Sequence, residues 1–495
     1  MRSDEMFMEP ARPRTSKPPT RSPRFGVWEP GFQWLLFSVI LVCLVGGCGE
    51  DRNPPRPASE TGVDPFVLDT IDRTADAIEK APRNPRGWAQ LGEVYYAHDY
   101  LESALECFDE AVELAPQNSR FRYLRGVTRR RLGDEAGGFE DIEVAMREDE
   151  STPHLRWRAA LWYRDAGDID RAEILANDAM ELSNGDRNAR RTLALVALEA
   201  GRPKQAIGLL RPIVRARPND RETRSTLVRA WRMAGDLKAA EREAVLAGDA
   251  RPNYFDPWLD AAITRRTDLP FWIRRAQRTA NQGDTQSARK ILESVLKRWY
   301  PDARDVGFTE GVILVGEGRH GEASVLFESL LEEHPRWSQA MDRAAASILA
   351  ERRDDPSADR RARAWLERSL EIEPENNASR SMLAGILERS GEYAAARRIL
   401  EKNVAAKPWV LGERLRLAHL QRMQGDPNAA LIGLDQAREL FGPGIQIDLN
   451  RAAALLDLDR HDEALVCITQ AKSKAKGPMK EIRELESRWR KASTP

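Results

Sequence analysis

The feature that most constrains this chain is a spacing. Pro116 and Pro218 lie 102 residues apart, three times 34, and the steps Pro218 to Pro252 and Pro374 to Pro408 are 34 each. A fixed period in this range marks an array in which one supersecondary unit is copied and stacked. With Pro116 as position 32, consecutive frames start at residues 85, 119, 153, 187 and 221, and again at 269, 304, 338, 377, 411 and 445. The frame starting at 338 carries five extra residues. Position 20 then reads Ala104, Gly138, Ala172, Ala206, Ala240, Ala288, Ala323, Ala362, Ala396, Ala430 and Ala464. A small side chain held at one register through eleven copies indicates a place where two rods cross at short distance. Apolar residues make up 41% of the chain, enough to bury a long core and too many for a disordered one.

The first frame, residues 85–118, has Trp88 at position 4, Leu91 at 7, Gly92 at 8, Tyr95 at 11, Ala104 at 20, Phe108 at 24 and Ala111 at 27. With Pro116 at 32, this pattern resembles the tetratricopeptide repeat. The resemblance extends over about 390 residues. It implies an all-α fold, a right-handed α-solenoid of antiparallel helix pairs, with repeats 1–5 over 85–254 and repeats 6–11 over 269–478. Small residues at 8, 20 and 27 let helices cross, and larger ones at 4, 7, 11 and 24 recur on the helical period to fill the space between them. Glycine at position 15, as at Gly133, Gly167, Gly201, Gly235, Gly283, Gly318, Gly391 and Gly425, separates the two helices, and the proline ends the second. Such arrays need end caps. Residues 63–84 and 479–495 each contain one amphipathic helix suited to that purpose. Residues 255–268 break the frame, as a degenerate repeat or as a bend between two sub-arrays.

The N-terminus reads as an address. Arg2, Arg12, Arg14, Lys17, Arg21 and Arg24 precede an apolar run from Trp34 to Val45, interrupted only by Ser38 and too short to span a bilayer. The run suits a signal-peptide core. Val45-Gly46-Gly47-Cys48 resembles the lipobox of bacterial lipoproteins, which implies a signal over 1–47, lipidation of Cys48 and a membrane-held protein in the bacterial cell envelope. An uncleaved signal anchor and a simple secretory signal are the alternatives, and each exports the repeat array. Residues 48–62, with Pro54, Pro55 and Pro57, read as a flexible tether.

Signatures of chemistry do not occur. No phosphate-binding loop, His-Glu-x-x-His, Cys-x-x-Cys or Gly-x-Ser-x-Gly is present, and the six histidines lack ligand spacing and read mostly as solvated surface residues. Cys107 and Cys467 share position 23, ten repeats apart, and read as small apolar side chains. No enzyme, metal or cofactor is expected, an enzyme with a groove-assembled site being the alternative of another class. Lys plus Arg total 77 against 78 for Asp plus Glu, so no net field recruits nucleic acid.

What the resemblance offers instead is a concave surface lined by the first helix of each repeat, chiefly positions 2, 5, 9, 12 and 13. In repeats 2–5 these hold Arg120, Tyr123, Arg130, Arg131, His154, Trp157, Arg164, Arg191, Arg229 and Arg232. Guanidinium groups bind carboxylates in pairs of hydrogen bonds and aromatic faces add apolar contact, so this groove suits acidic or C-terminal peptide segments. The carboxylate clamp of chaperone-binding family members is absent, since Ala89 and Glu93 stand at positions 5 and 9 of repeat 1. The expected function is a non-catalytic, membrane-tethered scaffold or assembly factor. A lipoprotein component of an envelope secretion, pilus or outer-membrane assembly machine is the alternative.

Overall fold

The crossings set the architecture. In a computed structural model that describes residues 52–57, 61–248, 255–352 and 355–493, each frame becomes two antiparallel helices that meet at the small positions. All eleven residues at position 20 are buried. In repeat 2 the crossing is so close that both sides are glycine. A Cβ added to Gly126 at position 8 would lie 2.9 Å from Cβ of Asp141 and 3.2 Å from the carbonyl oxygen of Gly138 at position 20. The first repeat pairs Pro85–Ala97 with Leu101–Leu114, and Trp88, Leu91, Tyr95, Phe108 and Ala111 form its buried interior. The pattern runs on to the eleventh repeat, Ile445–Asp457 with His461–Lys474. Among the described residues there is no β-strand, and the fold is an α-solenoid of helix pairs.

The turns obey the same register. The eight glycines at position 15 all have φ between 72° and 92°, a region costly for side chains with a Cβ. Repeats 1 and 11 place Asp99 and Asp459 there, at φ 64° and 56°. Aspartate visits this region more readily than most residues because its short side chain can bond locally.

Three departures from the expected layout matter for function. The N-terminal helix Pro65–Lys80 caps repeat 1, burying Val67, Ile71, Ala75 and Ile78, and also meets repeat 6. Phe66 stacks on Trp299 at 4.9 Å, and Asp64 accepts hydrogen bonds from the Leu269 amide (3.1 Å) and the Tyr300 hydroxyl (2.5 Å). Second, residues 54–57, expected to belong to a flexible tether, are docked on that cap. Arg56 bridges Asp72, Asp76 and Glu79, and the Tyr95 hydroxyl donates to the Pro55 carbonyl. Third, repeat 5 meets repeats 9 and 10, where Lys238 pairs with Glu439 at 2.5 Å and the Arg221 guanidinium lies 5.8 Å from the Trp409 ring centre. At the other end Lys480–Ser493 closes repeat 11, burying Ile482, and the Trp489 indole donates to the His461 carbonyl.

Cys48 and the signal segment lie outside the described residues. Among those described, no helix is long and apolar enough to cross a membrane.

Candidate peptide groove

The residues that break the period explain what the basic face is for. Residues 255–267 are neither a repeat nor a simple bend. They form a short helix, Pro257–Ile263, that lies against the first helices of repeats 1 and 2. Proline at its first position and Asp256 as its cap fix the start, with Asp256 Oδ1 accepting from the Leu259 amide at 3.0 Å. The other oxygen of Asp256 is aimed into the solenoid. It accepts a short hydrogen bond from the Tyr123 hydroxyl and a 2.8 Å charged bond from Arg158. Asp256 is 1% exposed and Tyr123 fully buried, so both partners are needed to offset the desolvated carboxylate. Burial pushes the Tyr123 phenol well above its ordinary value and keeps it a donor.

Around this centre the segment is held at several more points. Trp258 meets the edge of His154 at 4.4 Å and of Tyr123 at 5.7 Å. Asn188 in repeat 4 donates to the Phe255 carbonyl at 2.8 Å. Glu93 in repeat 1, itself buried, accepts from Arg120 and, at 3.0 Å, from Arg265 of the segment. The Thr267 amide donates to Nε2 of His98 at 3.1 Å. Burial lowers the pKa of both His98 and His154, which favours their neutral, accepting form.

The ten basic and aromatic residues picked out by position therefore divide. Tyr123 and His154 touch the segment through the contacts just given, and Arg120 reaches it only through Glu93, which also holds Arg265. Trp157 is buried beneath the Arg158 guanidinium, 4.9 Å from its ring centre. Arg191 is fully buried and pairs with Glu222 at 3.3 Å. Arg130 lies over the Phe139 ring of its own repeat and the Trp162 ring of repeat 3, beside Glu135. Arg131 pairs with Asp99, Arg164 with Asp165 and Arg229 with Glu199. Arg232 is exposed. The position rule did not select Arg158, at position 6, and Asn188, at position 2, was passed over because it is neither basic nor aromatic, although the acidic pair Asp256 and Asp260 in the one irregular stretch was a visible complement to a basic face.

Beyond Phe255, which is 60% exposed, the groove stays open. A cavity of about 690 Å³ there is lined by Arg187, Arg217 and Arg221, by Asp220, Glu222 and Asp260, and by Phe255, with Arg187 paired to Asp220 at 3.6 Å. The histidines read as surface residues are otherwise: only His419 is exposed, and His154 is buried. Both described cysteines are buried and form no disulfide. Among the described residues no group of three or more His, Cys, Asp and Glu side chains could hold a metal ion.

These features define a helical-repeat protein whose inner face grips a short, partly helical segment of its own chain. Residues 85–118 and 163–227 match the tetratricopeptide-repeat family. Proteins built on this repeat generally act as protein–protein interaction scaffolds. A tetratricopeptide-repeat-containing protein of Methanocaldococcus jannaschii is 36% identical over 58 residues, 12% of this chain and 10% of that protein. The chain thus spans about a tenth of that curated relative. Among solved structures, yeast Tom70 superposes with TM-score 0.34 at 15% identity, covering 83% of this chain and 94% of that one. YrrB, described as a tetratricopeptide-repeat protein with an unusual peptide-binding site, superposes at 0.32 with 17% identity, covering 40% of this chain and all of that one.

Proposed function

We propose that the protein is a non-catalytic scaffold that binds acidic segments of other proteins, held at a bacterial envelope membrane through a lipidated Cys48 and facing away from the cytoplasm. One observation carries the binding half of this reading: the inner face of repeats 1–4 already holds a segment, residues 255–267, by the chemistry expected for an acidic peptide. Asp256 takes the place of the ligand carboxylate and Trp258 that of its aromatic side chain. The partner's segment then continues from Phe255 along repeats 4 and 5, where Arg187, Arg217 and Arg221 border the open cavity and Arg232 extends the basic face. The anchoring half rests on the Val45-Gly46-Gly47-Cys48 sequence.

The two halves are tested separately. A photo-crosslinking amino acid at position 232, used in cells and read by mass spectrometry, should capture one reproducible partner through an acidic segment. Arg217→Glu with Arg221→Glu should abolish capture without changing helicity. Capture that survives both charge reversals would place the binding surface elsewhere. Labelling with a radioactive fatty acid should mark the wild type and not Cys48→Ser; label on both would remove the anchor.

A further inference from the structure

Position 4 of the repeat points to a second, separate site. In repeat 2 this position is Arg122, whose Nε donates to the Pro116 carbonyl at 2.8 Å and whose Nη1 lies 4.0 Å from Asp141 at position 23, a carboxylate that takes its hydrogen bonds from Arg125. In repeat 5 Arg224 donates in the same way to Pro218, at 3.0 Å, and pairs with Glu243, again at position 23. Both carboxylates are buried. Repeat 10 keeps the arginine and the carbonyl, Arg414 donating to Pro408 at 2.8 Å, but position 23 is Gly433. A Cβ built there meets nothing within 4 Å. The slot that holds a carboxylate in repeats 2 and 5 is open.

Arg156 and Arg190, with Leu175 and Leu209 at position 23, also rest on carbonyl oxygens. Arg414 differs in what it faces. Together with Arg211, Arg242 and Trp231 it lines a cleft of about 710 Å³ where repeat 5 meets repeats 9 and 10. Among the described residues none of these three arginines forms an ion pair. The acids along the same cleft are mostly committed. Glu243 holds Arg224, Glu439 holds Lys238, and Asp236 accepts from the Ala239 amide at 2.9 Å, which leaves Glu241. Burial without a compensating carboxylate lowers the pKa of Arg414, the expected state of a half-buried cation that lacks its anion. The cleft is within the ordinary size range of ligand sites, roughly 300–1,000 Å³, and Trp231, Val245 and Leu440 supply apolar wall.

We propose that this cleft binds an acidic peptide segment, one side-chain carboxylate of which takes the place on Arg414 that Asp141 and Glu243 occupy in repeats 2 and 5. Arg211 and Arg242 hold neighbouring carboxylates, and Trp231 packs an apolar side chain between them. This goes beyond the groove of repeats 1–5, because cleft and groove are lined by different residues.

The test uses the purified full chain and a fluorescein-labelled, C-terminally amidated peptide of glutamates and tryptophans, followed by anisotropy. The glutamate peptide should bind and its glutamine counterpart should not. Gly433→Glu supplies the missing carboxylate from within, so it should weaken binding about tenfold or more, as expected for losing a charged hydrogen bond, while melting at or above the wild-type temperature. Arg414→Gln should lose binding to a similar degree, and Arg460→Gln, which lies in neither the cleft nor the groove, should leave it unchanged. Equal binding of the glutamine peptide, or wild-type binding by a folded Gly433→Glu protein, would overturn the proposal. Loss only in the Arg217→Glu with Arg221→Glu protein would also overturn it and assign the peptide to the groove.

Discussion

Repeats 1–4 and repeats 8–10 share one packing rule and use the face it creates in opposite ways. In repeats 1–4 the inner face buries Tyr123 and His154 and half-buries Arg158, and is completed by Asp256 and Trp258 from outside the array. In repeats 8–10 adjacent repeats satisfy one another. Asn376 and Ser379 both donate to Asp342, Ser381 donates to Glu413, and Arg416 pairs with Glu388 at 2.7 Å. The small residues at positions 8 and 20 fix how helices nest, and the positions on the inner face are then free to diverge. A solenoid can therefore leave one stretch of its inner face dependent on a segment and another stretch self-contained. Repeats 1–4 depend on one, and their own chain provides it.

The largest test of this contrast is removal of Asp256. Asp256→Ala leaves the half-buried Arg158 without its anion and Tyr123 without its acceptor, which costs up to about 3–5 kcal/mol. Hydrogen exchange should accelerate across residues 255–267 and the first helices of repeats 2 and 3, with residues 377–441 unchanged. Asp342→Ala, removing an acceptor that is only partly buried, should cost about 1 kcal/mol and act within repeats 8 and 9. Effects of equal size and reach would erase the distinction between the two stretches.

A smaller effect probes what the stretches share. Ala206 and Ala396 occupy position 20 in repeats 4 and 9 and are both fully buried. Ala206→Trp and Ala396→Trp should each overpack a crossing by about 1–3 kcal/mol, read as matching losses in thermal unfolding. An unchanged melting curve for either would mean that the register fails in that half.

How far the sequence could be read depends on the range of the interactions involved. Position 20 was legible because only a small side chain tolerates a close helix crossing, and position 15 because only glycine, or an aspartate such as Asp99 or Asp459, enters the left-handed turn cheaply. Both constraints act within one repeat. The docking of residues 255–267 involves partners up to 172 positions away, as in Arg265 with Glu93, and no local pattern encodes such a pairing. The stacking of Phe66 on Trp299 and the Lys238–Glu439 bridge were illegible for the same reason. The basic face itself was visible, but side-chain direction was not. Arg130 and Arg164 satisfy the position rule and spend their charge on Glu135 and Asp165.

The smallest effect expected is a pH response confined to the occupied stretch. His154 and His98 both contact the segment, and burial lowers the pKa of each below the ordinary histidine value of 6.5. Asp256 and Asp149 oppose that shift at His154 while Arg158 adds to it; at His98 Asp268, Asp64 and Asp99 oppose it while Arg266 adds to it. The net direction is downward at both. The unfolded chain therefore binds more protons than the folded one just below 6.5, so the contribution of these residues is complete above that pH and is lost as pH falls toward the folded values. Exchange of amides in residues 255–267 should rise between pH 7.5 and pH 5, once corrected for the intrinsic pH dependence of exchange. The bridges of repeats 8–10 contain no histidine and should hold over the same range. His154→Phe keeps a ring against Trp258 and removes the proton, so it should flatten the response in part. An undiminished response would transfer the effect to His98, and an equal response in repeats 8–10 would assign it to carboxylates common to both stretches.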